Sequence, residues 1–426
     1  MIIIVKLKKY FPYRGVFIKI AVMGCGTVGS GVVEILDNKT DLMIKSAGEE
    51  IEVKYILDIR DFTGSPFAPR IVKDIEVILN DSEIDTVVET MGGVEPAFTF
   101  CKRCLEKGKN VVTSNKALVA AKAEELFKAA RENNAAFMFE AAVCGGIPVI
   151  RTLFSALSAN NVTSFSGILN GTTNFILTKM INEKMSFDSA LKIAQDKGYA
   201  EKDPTADVEG LDAGRKTCIL ASIAYGNHIY PEEIHTEGIR AITLEDAAYA
   251  ASKGYKIKLL GKADKLNNGK ISAIVCPFFV SDSSMISGVN GVYNAIMITG
   301  DSVGDVLLYG QGAGKEATAS AVVGDVMECA RLKKNEAHYY WADHKDGLIE
   351  DYNLYETALY VRGYTKNTDE TVIKIREAFG GVTLLTREDA PDNEIAFITG
   401  KAQEKELREI MADIKDFAPA SVIRVL

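Results

Sequence analysis

The chain has 426 residues, 47% of them hydrophobic and 25% charged, and a formal net charge of −9. That length exceeds one ordinary core and calls for two or three domains, with the composition of a soluble globular protein. The acidic balance and the lack of a Lys/Arg-rich block exclude nucleic acid and an anionic membrane surface as main partners.

The opening Met1-Ile2-Ile3-Ile4-Val5 is apolar but stops at Lys6. It is too short for a membrane span or the apolar region of a signal, so residues 1–17 read as an extension ahead of the first strand. Seven cysteines, an odd number in a long chain, point to a reducing cytoplasm rather than a disulfide framework. Cys101-Lys102-Arg103-Cys104 is a lone C-x-x-C, and the four histidines show no ligand spacing with it, so the two thiols read as ordinary helix residues.

Ile18 to Met23 has the unbroken apolar character of a strand buried on both faces of a parallel sheet. Gly24-Cys25-Gly26-Thr27-Val28-Gly29 follows at once, and an apolar-periodic helix follows that. In this setting Gly24 allows a tight turn, Gly26 lets backbone approach a pyrophosphate, and Gly29 lets helix and strand pack closely. This is a dinucleotide site. A second strand, 51–59, ends in Asp58-Ile59-Arg60-Asp61. An acid there suits a ribose 2′-hydroxyl and an arginine suits a 2′-phosphate, so NAD and NADP both stay open. Further strands at 86–90, 110–113 and 135–140, with a helix at 117–133, complete a doubly wound α/β pattern. Ligands bind beyond the carboxyl ends of such strands, so Thr90 and Lys116 point at the cofactor cleft.

From Glu140 the pattern changes to a small-residue loop, 140–148, then a strand over 161–169 and Asn170-Gly171-Thr172-Thr173-Asn174 opening a helix. Gly198-Tyr199-Ala200-Glu201-Lys202-Asp203-Pro204-Thr205-Ala206-Asp207-Val208-Glu209-Gly210-Leu211-Asp212 then gathers acids around turn signals and leads to Lys216. If the segment from Leu211 is helical, Asp212 and Lys216 share one face within hydrogen-bonding reach. A carboxylate holding an ammonium, beside acids able to grip an amine, describes a site for a small amino acid.

Several of these runs together resemble homoserine dehydrogenase. They are G-C-G-T-V-G, T-S-N-K at 113–116, E-A-A-V-C-G-G-I-P from Glu140 and G-I-L-N-G-T-T-N-F at 167–175. The acidic run with Lys216 and G-Q-G-A-G at 310–314 complete the set, in family order over about 18–335. The resemblance implies reversible interconversion of L-homoserine and L-aspartate 4-semialdehyde with NAD or NADP, in threonine and methionine biosynthesis. It implies catalysis by Lys216 and Lys116, with Asp212 orienting Lys216, and a substrate ammonium held by Glu201 and Asp207 beside Asp212. Two ammonium groups near one centre depress each other's pKa, which gives a lysine the proton affinity that the alcohol chemistry needs. The cofactor contacts implied are Gly24, Gly26, Thr27, Val28, Gly29, Arg60, Thr90, Lys116, Gly198 and Gly314. A monovalent cation, Na+ or K+, is implied at the backbone carbonyls of Glu140, Val143, Gly145 and Ile147.

The expected organisation is a Rossmann-type domain over 18–150, completed by 305–335, and an α+β substrate and dimerisation domain over 151–304. A linker at 336–353 and a tail at 354–426 follow. As in the family, the middle sheet is expected to pair between subunits, making a homodimer or higher homo-oligomer. The tail reads as β-α-β-β-α-β, the ferredoxin-like order, and resembles an ACT module. Its first turn, Arg362 to Asp369, lacks the Pro-Gly of the effector-binding pattern, so threonine regulation and a purely structural tail both stay open. Two other readings compete. Aspartate-semialdehyde dehydrogenase needs a nucleophilic cysteine with a base, and Cys144 has no histidine near it in sequence. A non-catalytic dinucleotide-binding amino-acid sensor would bind cofactor without turnover, and has no need of the Lys116, Asp212 and Lys216 set.

Overall fold

The structure is a computed structural model that describes residues 17–48, 50–331 and 339–426. The extension expected at 1–17 falls outside this range except for Phe17, which is the first residue of a strand paired with Glu50. The chain divides into two compact units. Of the described residues, the first comprises 17–48, 50–159, 222–230, 311–331 and 339–344, and the second comprises 160–221, 231–310 and 345–426.

The first unit is built on β1 (Phe17–Met23), β2 (Glu50–Leu57), β3 (Ile71–Val72), β4 (Ile84–Glu89), β5 (Asn110–Thr113) and β6 (Phe137–Met138). Their order is β3-β2-β1-β4-β5-β6 with every neighbour parallel, the doubly wound dinucleotide-binding arrangement. Ile20, Ala21, Val22 and Met23 are all fully buried, as a central parallel strand covered on both faces requires. The strand expected at 135–140 is only β6, because Glu140 turns away into a 3-10 turn at Glu140–Ala142. The helix Lys315–Arg331 packs on the helix Thr27–Asn38 where Gly31 lies, and a Cβ there would sit 3.0 Å from that of Ala319.

The described part of the expected linker, 339–353, is not a free polar connector. Trp341 is 3% exposed, edge-on to Phe127 and Phe139. Ala342 exchanges backbone hydrogen bonds with Gly226 and His228. A single tryptophan after Tyr339-Tyr340 and before Ala342-Asp343-His344 gives no period from which sequence could foresee this docking.

The second unit holds β7 (Val162–Ile168), β8 (His235–Thr236), β9 (Tyr255–Lys265), β10 (Ile271–Ser281), β11 (Tyr293–Gly300), β12 (Gly304–Gln311), β13 (Glu356–Thr365), β14 (Val382–Leu385), β15 (Glu394–Thr399), β16 (Ala402–Gln403) and β17 (Phe417–Val425). One sheet runs β12-β11-β7-β9-β10-β17-β13-β15-β14, with β8 on β10 and β16 on β13. The tail has the expected β-α-β-β-α-β order apart from the two-residue β16 ahead of its second helix, with helices Thr368–Ala378 and Glu404–Asp413. Its sheet is not separate, because β17 pairs in parallel with β10 at Phe278 and Phe279. On the helix side of the tail, Leu359, Val361, Phe397 and Leu407 form its core. On the other side Tyr360 stacks on Phe279 with centroids 4.3 Å apart.

Candidate active site

In the first unit the fingerprint occupies the turn from β1 into the helix Thr27–Asn38. Gly24 has φ +93° and lies under Thr90, whose hydroxyl donates to the Gly24 carbonyl at 2.8 Å. A Cβ on Gly29 would lie 1.9 Å from the Gly24 oxygen, so only glycine lets this helix start so close to the strand. A Cβ on Gly26, by contrast, would meet nothing within 4 Å, and no side chain caps the helix N-terminus beside it. Open space at a helix start with uncapped amides, in the β1–β4 switch region, fits a pyrophosphate. Thr27 and Val28 are the first two helical residues there.

Asp58, just past β2, is buried and accepts from the Cys25 amide at 2.8 Å. Arg60 grips both its oxygens, from Nε at 3.0 Å and Nη2 at 2.7 Å. That guanidinium, with the Arg60 and Cys25 amides, holds the Asp58 carboxyl far below the usual carboxylate range despite its burial. Asp58 is thus committed to the loop, while the Arg60 side chain stays 57% exposed.

Lys116 is the first residue of the helix Lys116–Glu132, whose start is capped by Asn115 accepting from the Leu118 amide. Gly314, with φ +118°, precedes the helix Lys315–Arg331. The loop 140–147 turns through two left-handed residues, Cys144 and Gly145, and a Cβ on Gly145 would strike the Gly312 carbonyl at 2.8 Å. The Glu140 carboxylate faces inward and accepts from the Ile150 and Arg151 amides at 2.8 Å each. The Val143 and Ile147 side chains are buried with it. Asp325 accepts from the Glu140 amide and pairs with Arg151 at 2.7 Å, and burial pushes its carboxyl up to about 7. Among the described residues no group of three or more His, Cys, Asp or Glu could hold a metal ion.

In the second unit the helix Leu211–Tyr225 forms as the charge spacing suggests, and Asp212 meets Lys216 at 2.7 Å. Both are nearly buried, at 6% and 8% exposure. The Lys216 ammonium also donates to the Leu169 carbonyl at 2.7 Å. Asn170, absent from the sequence-level site, joins the acids. Its amide nitrogen donates to Asp207 at 2.7 Å and to Asp212 at 2.9 Å, while its oxygen caps the helix Gly171–Glu183 through Thr173. The motif N-G-T-T-N marked Asn170 only as a helix start, because its acidic partners lie 37 and 42 residues away.

Asp207, Asp212, Lys216 and Asn170 are therefore together. One carboxylate, Asp212, meets the ammonium while the other, Asp207, is held beside it by Asn170, and two acids to one cation suit a cationic amine. Glu201 is not drawn into this cluster and lies exposed, as does Gly198 in its turn. Gly261 of β9 makes room for the helix, since a Cβ there would overlap the Thr217 hydroxyl at 2.1 Å.

Two family models match the chain: "Homoserine dehydrogenase, NAD binding domain" over residues 24–140 and "Homoserine dehydrogenase" over 148–327. A homoserine dehydrogenase of Bacillus subtilis is 36% identical over 94% of this chain and 95% of its own length. Among solved structures, a homoserine dehydrogenase from Thiobacillus denitrificans is similar with a TM-score of 0.88 and 35% identity, over 96% of this chain and 98% of that one. A hyperthermophilic archaeal homoserine dehydrogenase, in complex with NADPH, is similar with a TM-score of 0.64 and 30% identity. It matches over 75% of this chain and 100% of its own.

Proposed function

The chain belongs to the homoserine dehydrogenase family, NAD(P)-dependent oxidoreductases, and from that premise we propose how its residues divide the interconversion of L-homoserine and L-aspartate 4-semialdehyde. The observation that carries the reading is the Asp207–Asn170–Asp212–Lys216 chain of contacts, in which Asn170, Asp212 and Lys216 are buried and Asp207 half-buried. A nicotinamide cofactor held at the Gly24–Gly29 turn and the helix start at Thr27 would supply hydride exchange with the alcohol or aldehyde carbon. Lys216 takes the hydroxyl proton as the alcohol is oxidised and returns it to the aldehyde oxygen in reverse. Asp212 and the Leu169 carbonyl fix the direction of that ammonium. Asp207, steadied by Asn170, balances the substrate's own ammonium, with Glu201 assigned to the same task from its exposed position. Lys116 is assigned to cofactor and reacting oxygen, and Gly198 and Gly314 to cofactor contact.

The exposed Arg60, with Asp58 already spent, supports NADP as the preferred cofactor, and the archaeal relative named above was solved with NADPH. A monovalent cation, Na+ or K+, is assigned to the carbonyls of Glu140, Val143, Gly145 and Ile147. Supporting this, Glu140 turns its carboxylate away from solvent to cap Ile150 and Arg151. The β-α-β-β-α-β tail supports an ACT-like reading, with an amino-acid effector or a structural role both open to titration with threonine. A homodimer, a cytoplasmic setting and a place in threonine and methionine biosynthesis belong to the same proposal; all seven cysteines are buried and none is in a disulfide, in keeping with a reducing compartment. No helix among the described residues is long and apolar enough to cross a membrane.

The test is spectrophotometric, with purified protein, L-homoserine and either NADP+ or NAD+ at alkaline pH. Homoserine-dependent formation of the reduced nicotinamide, faster with NADP+, is expected. Cofactor binding without turnover would instead favour the sensor reading.

A further inference from the structure

Glu89 is a buried acid with no part in the chemistry assigned above. It is the last residue of β4, the strand at the centre of the sheet beside β1, and it is 0% exposed. Burial pushes its carboxyl up, and the donors around it, Thr113 foremost, pull it back. A buried carboxylate costs stability unless its oxygens are fully used, so its partners show what it is there to hold.

Those partners lie on both sides of the ligand-facing end of the sheet. One oxygen accepts from the Met91 amide at 2.7 Å and the Gly92 amide at 3.2 Å, in the exposed loop after β4. That loop runs through two left-handed glycines, Gly92 at φ +82° and Gly93 at φ +73°. It is also anchored by the Thr90 backbone N–H on the Met23 carbonyl at 2.9 Å, the Thr90 hydroxyl on the Gly24 carbonyl and the Asn115 side-chain amide on the Gly93 carbonyl at 2.5 Å. The other Glu89 oxygen accepts from the Thr113 hydroxyl at 2.5 Å, and the Thr113 hydroxyl in turn accepts from the Asn115 backbone N–H at 2.9 Å. Asn115 caps the helix that begins at Lys116.

We propose that Glu89 is a positioning residue for the reaction. Its carboxylate sets the glycine loop between the fingerprint and β5 and, through Thr113 and Asn115, the helix start that carries Lys116. One acid thereby fixes two cofactor-facing segments that have no direct bond to each other except Asn115 to Gly93. This rests on the dehydrogenase reading and on the assignment of Lys116 to the cofactor.

The test compares the full-length parent with Glu89→Ala, Glu89→Gln and Thr113→Val. It reads NADPH dissociation by fluorescence, kcat and KM for L-homoserine, and thermal unfolding. Glu89→Ala frees the loop amides and the helix start together. NADPH affinity is expected to fall about ten-fold and kcat about a hundred-fold, with the homoserine KM within about two-fold of parent, because a displacement of about 1 Å costs that much in rate. Glu89→Gln keeps an acceptor for Met91 and Gly92, so its NADPH affinity stays within about three-fold of parent. Thr113→Val breaks only the relay, so kcat drops about ten-fold with NADPH affinity unchanged. A folded Glu89→Ala protein with kcat and NADPH affinity within about two-fold of parent would overturn the proposal. So would Gln rescuing no more than Ala does, the mark of a merely structural acid. If Glu89→Ala does not fold, Thr113→Val decides: undiminished kcat overturns the relay. A parent that binds NADPH but never oxidises L-homoserine would defeat the dehydrogenase reading instead, with the binding arm still reporting on Glu89.

Discussion

With both protons of one side-chain amide committed to Asp207 and Asp212, Asn170 holds two carboxylates at a fixed separation that their mutual repulsion would otherwise widen. Asn170→Ala is expected to lower kcat/KM for homoserine about a hundred-fold, through misplacement of both acids and loss of the helix cap. Asn170→Asp should be worse still, since a third carboxylate joins the pair. Steady-state kinetics near parent values for either variant would contradict this account of Asn170. Arg60 offers a second residue-scale prediction. Removing its guanidinium in Arg60→Ala should raise KM for NADP+ about ten-fold or more and leave NAD+ within about three-fold, because only a 2′-phosphate gains a charge-assisted bond there. Equal losses with both cofactors would sink that assignment. Lys216 and Asp212 were legible from spacing alone, since four residues on a helix fix their meeting. Asn170 was not, because its function depends on chain segments far away in sequence.

At the scale of elements, glycine punctuation and apolar runs placed five of the six strands of the nucleotide unit and its long helices, but not the short β3 or the helices Thr40–Ala47 and Ile75–Leu79. The misplacements have local causes. Strand β6 is cut short because Glu140 leaves the sheet to cap Ile150 and Arg151. The segment 339–344 reads as polar yet docks through a mixed aromatic and histidine clasp. In that clasp the Trp341 indole donates to His228 Nδ1 at 3.0 Å, and Tyr230 donates to Glu124 at 2.6 Å. His344 uses its ring nitrogen on the His228 carbonyl and its amide on Glu124. Burial lowers the His228 pKa below its ordinary value near 6.5, against the pull of Glu124 and with the push of His344. A histidine depressed in the folded state contributes stability in full above its unfolded pKa of about 6.5 and loses it as pH falls below that. The thermal midpoint is therefore expected to drop on acidification below about pH 6.5, and His228→Gln should flatten that drop. An identical pH profile in the variant would contradict the role given to His228.

Across the whole second unit, the tail is continuous with the middle sheet through β10 and β17, and buried charge reinforces the join. Arg362, 4% exposed, pairs with Asp246 at 2.8 Å and Glu394 at 3.3 Å, while Tyr249 and Tyr360 donate to Glu394 and Asp246. Arg362→Ala would take the guanidinium from the fully buried Asp246, while Glu394 keeps Arg387, a change that costs about 3–5 kcal/mol. Chemical denaturation should show that loss in a single transition of the unit. A separate low-stability transition confined to the tail would contradict this continuity. A ferredoxin-like order was readable in the tail's alternation of elements, but its fusion to the middle sheet was not. Edge-to-edge pairing of β10 with β17 leaves no mark in either strand's own pattern.

What the molecule does turns on whether Lys216 moves the proton. The most direct measurement is single-turnover oxidation of L-homoserine by parent and Lys216→Ala proteins, each saturated with NADP+ and homoserine, with cofactor binding checked separately. The account predicts unchanged cofactor affinity and a chemical step slowed by about 10²–10⁴-fold, the usual worth of a positioned acid–base group. A Lys216→Ala enzyme that binds both ligands and reduces cofactor at the parent's rate would contradict it.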